Sequence, residues 1–256
     1  MVSPTRTVPY AQRTQQELSL HLFEPQGTGP HPAIVLFFGG GWIGGTPSQF
    51  YPQAQHLADQ GMIAICAEYR VRDRHGTSPF DCVADGKTAM RYVRSHAAEL
   101  GIDPTRIAAG GGSAGAHVAA ASSLVPGLDH EDDDLSVSPR ADCLILFNPV
   151  LDQNPDDGYG HDRLGKRWRE ISPAHHVTPS CPPCCVLVGD SDKLIPVAVM
   201  ERFRAAIADT GGHCDLHIYG QQAHGFFNWS DGNNPCHAQT LAVMTSFLAA
   251  QGFNDR

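Results

Sequence analysis

From Pro32 onward, short apolar and β-branched runs alternate with longer amphipathic ones. The apolar runs predict strands over Glu17–Phe23, Ala33–Phe38, Met62–Ala67, Arg106–Gly111, Asp142–Phe147, Cys184–Val188 and Asp215–Tyr219. The amphipathic runs predict helices over Ser48–Gln60, Phe80–Leu100, Ala114–Leu124, Pro196–Thr210 and Pro235–Gln251. In the second of these, Val83, Met90, Val93 and Ala97 fall on one face, and Gly101 follows as a residue suited to end the helix. Strand and helix in alternation imply a mostly parallel sheet with helices on both faces, an α/β architecture.

Two segments break the alternation. The acidic run Asp129–Asp134 lacks the central Gly and distal Glu of a calcium loop, so a solvated loop is expected there. Residues 151–177 are rich in Asp, Gly and Pro and carry a short charged stretch around Trp168. Lying between two strands, they are a candidate lid or pocket wall. No repeat or low-complexity tract interrupts the chain, and its 256 residues suffice for one α/β domain spanning 1–256.

Composition narrows the function. Apolar residues at 41% and charged residues at 18% fit a globular chain. A net charge of -9 argues against general nucleic-acid binding, which needs clustered Lys and Arg on phosphates. No apolar run approaches the ~20 residues of a membrane span. Met1–Tyr10 lack the apolar core of a signal peptide, which points to the cytoplasm, although a secreted chain with its leader removed would look the same. The eight cysteines do not form a disulfide scaffold in a chain this long. Cys66 and Cys143 fall inside predicted strands as small buried residues. Cys181-Pro-Pro-Cys184-Cys185 has no second Cys or His pair to complete a metal set, so it reads as a turn entering a strand.

The chemistry centres on Gly111-Gly112-Ser113-Ala114-Gly115. An apolar strand precedes this Gly-x-Ser-x-Gly motif and an alanine-rich helix follows it. A sharp strand-to-helix turn lifts the serine hydroxyl out of the sheet and aims a helix N-terminus at whatever it attacks. A serine becomes a useful nucleophile once a histidine can take its proton and a carboxylate orients that histidine. Asp190 and Asp192 both lie in Gly189-Asp-Ser-Asp-Lys-Leu-Ile-Pro196, after a strand and before a helix. Chemistry in such sheets sits at the carboxyl ends of strands. His224 follows the last strand and precedes Gly225, which completes the order Ser, Asp, His. The loop Phe38-Gly39-Gly40-Gly41-Trp42 follows another strand. It lacks a phosphate-loop ending, but its glycines let backbone N–H groups converge on one oxyanion.

Together these motifs resemble the α/β-hydrolase esterases, in particular hormone-sensitive-lipase-like carboxylesterases and feruloyl- or acetyl-esterase-like hydrolases. Glu68-Tyr69-Arg70 and Gly101-Ile-Asp-Pro-Thr-Arg-Ile107 add to the likeness, which runs from about Pro32 to Phe247. The resemblance implies an α/β-hydrolase fold. It also implies a triad of Ser113, Asp192 and His224, and oxyanion donors on Gly40, Gly41 and Ala114. The implied reaction is two-step hydrolysis of a small-molecule ester through an acyl-enzyme, with no metal or organic cofactor. The family usually carries His before the glycines where this chain has Phe38, so support of that loop is in question. Arg70 and Asp85 read as a structural ion pair. Trp42, Phe226 and Phe227 are candidates for the substrate pocket or for the core.

The chain is short for this fold, so little or no cap domain is expected. An open pocket would favour short acyl groups, including those on acetylated or feruloylated carbohydrates. An amide hydrolase such as an arylformamidase would use the same triad. A non-catalytic binding protein on this fold would usually have lost a triad member. Oligomeric state is not encoded in these motifs.

Overall fold

The computed structural model describes residues 2–14, 16–230 and 234–253. Its strands are β1 (Arg6–Gln12), β2 (Glu17–Phe23), β3 (His31–Phe37), β4 (Ile63–Ala67), β5 (Ile102–Gly112), β6 (Leu144–Phe147), β7 (Cys184–Gly189) and β8 (Cys214–Tyr219). Its α-helices are α1 (Tyr51–Asp59), α2 (Arg72–His75), α3 (Pro79–Ser95), α4 (Ala97–Leu100), α5 (Ala114–Leu124), α6 (Trp168–Ile171), α7 (Val197–Asp209) and α8 (Pro235–Ala250). The strands form one sheet in the order β1-β2-β4-β3-β5-β6-β7-β8. β1 and β2 are antiparallel to their neighbours, and β4 through β8 are parallel. This is the α/β-hydrolase arrangement implied above.

Central strand β3 shows why both faces are covered. Ala33, Val35 and Phe37 enter one apolar cluster with α3, α5 and α7. Ile34 and Leu36 enter the opposite cluster with α1 and α8. Side chains alternate along a strand, so a run apolar at every position buries both sides. Helix α3 places Val83, Met90 and Val93 in the interior, and Gly101 closes α4 at φ 73°.

Several boundaries differ from the sequence reading. Strand β1 was not expected, because only Tyr10 of its seven residues is buried and Pro9 sits at a register shift. Proline is tolerated there because an edge strand needs only one of its hydrogen-bonding sides. The helix expected over Phe80–Leu100 breaks at His96 (φ -103°, ψ 18°) into α3 and α4. Cys143 precedes β6 instead of lying within it, yet it is fully buried. Cys184 and Cys185 open β7, as a turn entering a strand requires. No helix among the described residues is long and apolar enough to cross a membrane.

The acidic run is not simply solvated. Asp129 and Asp133 accept from Arg91 of α3 at 2.6 and 2.8 Å, and Thr88 Oγ1 donates to Asp133 at 2.7 Å. Two of its carboxylates thus dock the loop on α3, and that placement follows from long-range packing.

A second charged knot lies beside the sheet. The fully buried Asp85 accepts from Arg13 Nε at 2.9 Å, Arg70 Nε at 2.8 Å and Arg70 Nη2 at 3.0 Å. The expected Arg70–Asp85 pair therefore has a second guanidinium, from Arg13. Asp85→Ala would leave both cations poorly paired in the interior, and is expected to cost about 3–5 kcal/mol. Urea unfolding of the two proteins measures this directly, and a loss under ~1 kcal/mol would mean the knot is replaceable by water.

Candidate active site

Ser113 sits between β5 and α5 with φ 54° and ψ -117°. A non-glycine residue held there stores about 1–3 kcal/mol of strain, which the surrounding packing maintains. The turn is tight because α5 passes close over the end of β3. A Cβ on Gly115 would lie 2.1 Å from the Phe37 carbonyl oxygen, so only glycine fits. The Ser113 amide donates to the Phe147 carbonyl at 2.9 Å, which anchors the turn to β6.

The loops after β7 and β8 bring the other groups to this turn. His224 Nε2 lies 2.9 Å from Ser113 Oγ, and His224 Nδ1 lies 2.7 Å from Asp192 Oδ2. The other Asp192 oxygen accepts from the Leu194 and Ile195 amides at 2.8 and 3.0 Å. Its side chain is fully buried. Burial alone would push this carboxyl up, but the hydrogen bonds from His224, Leu194 and Ile195 outweigh it and hold it below the usual carboxylate range. Asp192 is therefore ionised where it faces His224. Asp190, the rival acid, is exposed and accepts from Ser191 Oγ and from the Gln221 amide at 2.6 Å. It pins the two loops together instead of touching the histidine.

The glycine loop is held from several sides. Gly39 N–H donates to Gln49 Oε1 at 2.6 Å, and Gln49 Nε2 donates to Asn228 Oδ1 at 2.9 Å. Among the described residues, neither the Gly40 nor the Gly41 N–H donates to another protein group. Gly40 has φ 131°, and a Cβ there would meet the Gly44 carbonyl at 2.3 Å. Ala114 opens α5, where the first amides have no partner within the helix. Phe38 answers the question of loop support. Its ring stacks on Tyr69 with centroids 4.2 Å apart, and Tyr69 Oη donates to the Phe38 carbonyl at 2.6 Å.

The cavity over Ser113 has a volume of about 290 Å³ and is bordered by Gly40, Gly41, Asn148, Tyr159, His224 and Phe227, among others. Of the three aromatic pocket candidates, only Phe227 borders it. Phe226 packs on Tyr219 at 4.8 Å, and Trp42 is buried with its ring turned away toward α5. A side chain one residue from a pocket residue can face the other way, which sequence adjacency does not reveal.

Two groups escaped the sequence reading. Asn148, just past β6, accepts from the Gly225 amide at 3.1 Å, and its Nδ2 lies 3.4 Å from His224 Nε2. The available signal was its place at the carboxyl end of a strand, which is shared by many residues. The second is His117. Its Nδ1 accepts from Trp42 Nε1 at 3.2 Å and its Nε2 donates to the Ile171 carbonyl at 2.9 Å. It ties the glycine loop, α5 and residues 151–177 together. Burial lowers its pKa to about 4, with the Ile171 bond opposing.

The unfolded histidine titrates near 6.5, so the unfolded chain takes up a proton before the folded one does. Stability from neutral His117 is therefore complete above pH ~6.5 and is lost as pH falls toward ~4, by about 3 kcal/mol in all. In urea unfolding, the stability gap between wild type and His117→Asn is expected to shrink across that window. A constant gap would show that His117 does not titrate this way.

Sequence and fold comparisons agree with this geometry. The BD-FAE family model matches residues 20–153, more than half of the chain. The chain belongs to the BD-FAE family. The dienelactone hydrolase family model matches residues 164–251. The probable carboxylic ester hydrolase LipM of Mycobacterium tuberculosis is 30% identical over 69% of this chain and 44% of its own length. Esterase LipC of the same organism is 28% identical over 86% of this chain and 59% of its own. The chain thus spans about half the length of these curated relatives. Esterase 2 of Thermogutta terrifontis matches along its length, with 38% identity over 100% of this chain and 98% of that one, at a TM-score of 0.95. That esterase has also been solved propionate-bound, butyrate-bound and phosphoramylated by tabun. These relatives are esterases, and they give the amide-hydrolase alternative no support.

Proposed function

We propose that the chain is a serine carboxylic ester hydrolase acting on short-acyl esters. The observation that carries this reading is the continuous Ser113–His224–Asp192 contact, at 2.9 and 2.7 Å, beside the glycine loop. Ser113 Oγ attacks the carbonyl carbon while His224 Nε2 takes the hydroxyl proton. The oxyanion is received by the amides of Gly40, Gly41 and Ala114. His224 then protonates the departing alcohol, and the carbonyl re-forms as the acyl-enzyme. Water, deprotonated by His224, attacks that ester, and as the tetrahedral intermediate collapses His224 gives this proton to the departing Ser113 Oγ and the acid is released. Asp192 keeps the His224 proton on Nδ1 and stabilises the imidazolium. Asn148 holds the Gly225 backbone and so the placement of the ring.

Residues 151–177 act as a wall of the pocket: Tyr159 borders the Ser113 cavity and Arg163 donates to the Gly41 carbonyl at 2.8 Å. A cavity of about 290 Å³ suits an acyl group of a few carbons, and a carbohydrate hydroxyl is a suitable alcohol half. A series of p-nitrophenyl esters from acetate to dodecanoate tests this. The expected kcat/KM peaks between acetate and butyrate and falls at least about tenfold by dodecanoate, ~1.4 kcal/mol of transition-state binding. A maximum at dodecanoate would overturn the short-acyl assignment.

A further inference from the structure

A second cavity, of about 440 Å³, opens beside the Ser113 cavity and shares Gly41 and Ile43 with it. Its walls include Trp42, Arg72, Thr77, Ser78, Asp162 and Arg163. Arg72 is ion-paired with Asp73 at 3.2 Å. Arg163 is different. It is half-buried, and among the described residues no carboxylate lies within ion-pair distance of it. Its Nη1 donates to the Gly41 carbonyl, Nη2 is 3.5 Å from the Tyr159 hydroxyl, and the guanidinium lies 5.2 Å from the Tyr159 ring centroid and 5.8 Å from that of Trp42. These contacts hold the guanidinium in place while leaving its charge unneutralised. A fixed, partly desolvated guanidinium with spare N–H groups is suited to a planar carboxylate.

We infer that the second cavity is a subsite for a carboxylate carried by the ester substrate, with Arg163 as its specificity-determining cation. The inference rests on the ester-hydrolase reading above. The shared Gly41 wall lets one molecule occupy both cavities, with its carbonyl at Ser113 and its anionic end at Arg163. The carboxylate can belong to the acyl half, as in a monoester of a short dicarboxylic acid, or to the alcohol half, as in an acylated uronate.

Two matched pairs of substrates separate these sources. p-Nitrophenyl hemiglutarate against p-nitrophenyl pentanoate places the charge on the acyl half. A 2-O-acetyl methyl glucuronoside against the matching glucoside places it on the alcohol half. Wild type is expected to prefer the anionic member of at least one pair by about tenfold in kcat/KM, the size of one solvent-accessible charge-assisted contact. The preference should vanish in Arg163→Gln and persist in part in Arg163→Lys. A ratio within each pair cancels any general effect of the variants on the glycine loop. No anionic preference in wild type, or a preference unchanged in Arg163→Gln, overturns the subsite. If none of the four esters is turned over, the ester-hydrolase reading fails instead. Binding of monomethyl glutarate and methyl glucuronoside to Ser113→Ala, with and without Arg163→Gln, then decides the subsite by itself: loss of binding in the double variant supports it, and equal or absent binding overturns it.

Discussion

Ser113→Ala is expected to lower kcat for p-nitrophenyl acetate by on the order of 10⁵- to 10⁶-fold, the loss found when a serine nucleophile is removed from a triad. Without Oγ no acyl-enzyme forms, and His224 is left with no hydroxyl proton to accept. What remains is the binding and oxyanion contribution of the glycine loop, worth about 10³- to 10⁴-fold over water. The fold should persist, because the Ser113 amide still donates to Phe147 and the hydroxyl supports no core contact. Ser113→Gly adds a second readout. Glycine adopts φ 54° without the Cβ penalty, so this inactive variant is expected to gain about 1 kcal/mol of stability. A Ser113→Ala protein retaining more than about a tenth of wild-type kcat would place the nucleophile elsewhere.

The second large effect falls on the acid. Asp192→Asn is expected to reduce kcat about 10⁴-fold while leaving the backbone of its loop in place. The remaining amide oxygen can still accept from Leu194 and Ile195. The amide nitrogen, however, would donate to His224 Nδ1, forcing the ring proton onto Nε2. In that tautomer Nε2 cannot receive the Ser113 proton. Asp190→Asn is the control: its contacts are to Ser191 and the Gln221 amide, so its kcat is expected to stay within about threefold of wild type. Comparable losses in the two variants would dissolve the distinction between the carboxylates.

The proposed triad was legible because each member stands in a local context that constrains it. Ser113 needs small neighbours on a strand-to-helix turn, and Asp192 and His224 each need a strand's carboxyl end. Those contexts are short-range, so they survive in the linear pattern. The central strands were legible for a related reason: β3 from Pro32 on, β4, β6, β7 and the second half of β5 are buried and read as runs of apolar and small residues. The first half of β5, residues 102–105, is partly exposed and polar and was not read as strand. Strand β1 was not, because one sheet edge and little burial leave its residues mostly polar. The break at His96 was hidden because the apolar face of α3 continues into α4.

Pocket lining and loop support were decided at longer range. Phe226 lies beside a site residue in sequence but points into packed interior, Trp42 borders the second cavity and not the one over Ser113, and Asn148 and Tyr159 reach the Ser113 cavity from elsewhere in the chain. The replacement of histidine by Phe38 was visible, but its compensation by Tyr69, 31 residues away, was not. Asp129 and Asp133 looked like solvated charges until Arg91 was placed opposite them. The sequence by itself thus determined the order of the central strands and the main helices, the Gly-x-Ser-x-Gly turn and the succession of Ser113, Asp192 and His224, since each depends on local backbone demands and hydrophobic period. Which aromatic borders the Ser113 cavity and which cation, among the described residues, lacks a carboxylate partner beside it depend on side-chain direction and on contacts between distant segments, and only the tertiary structure decided them.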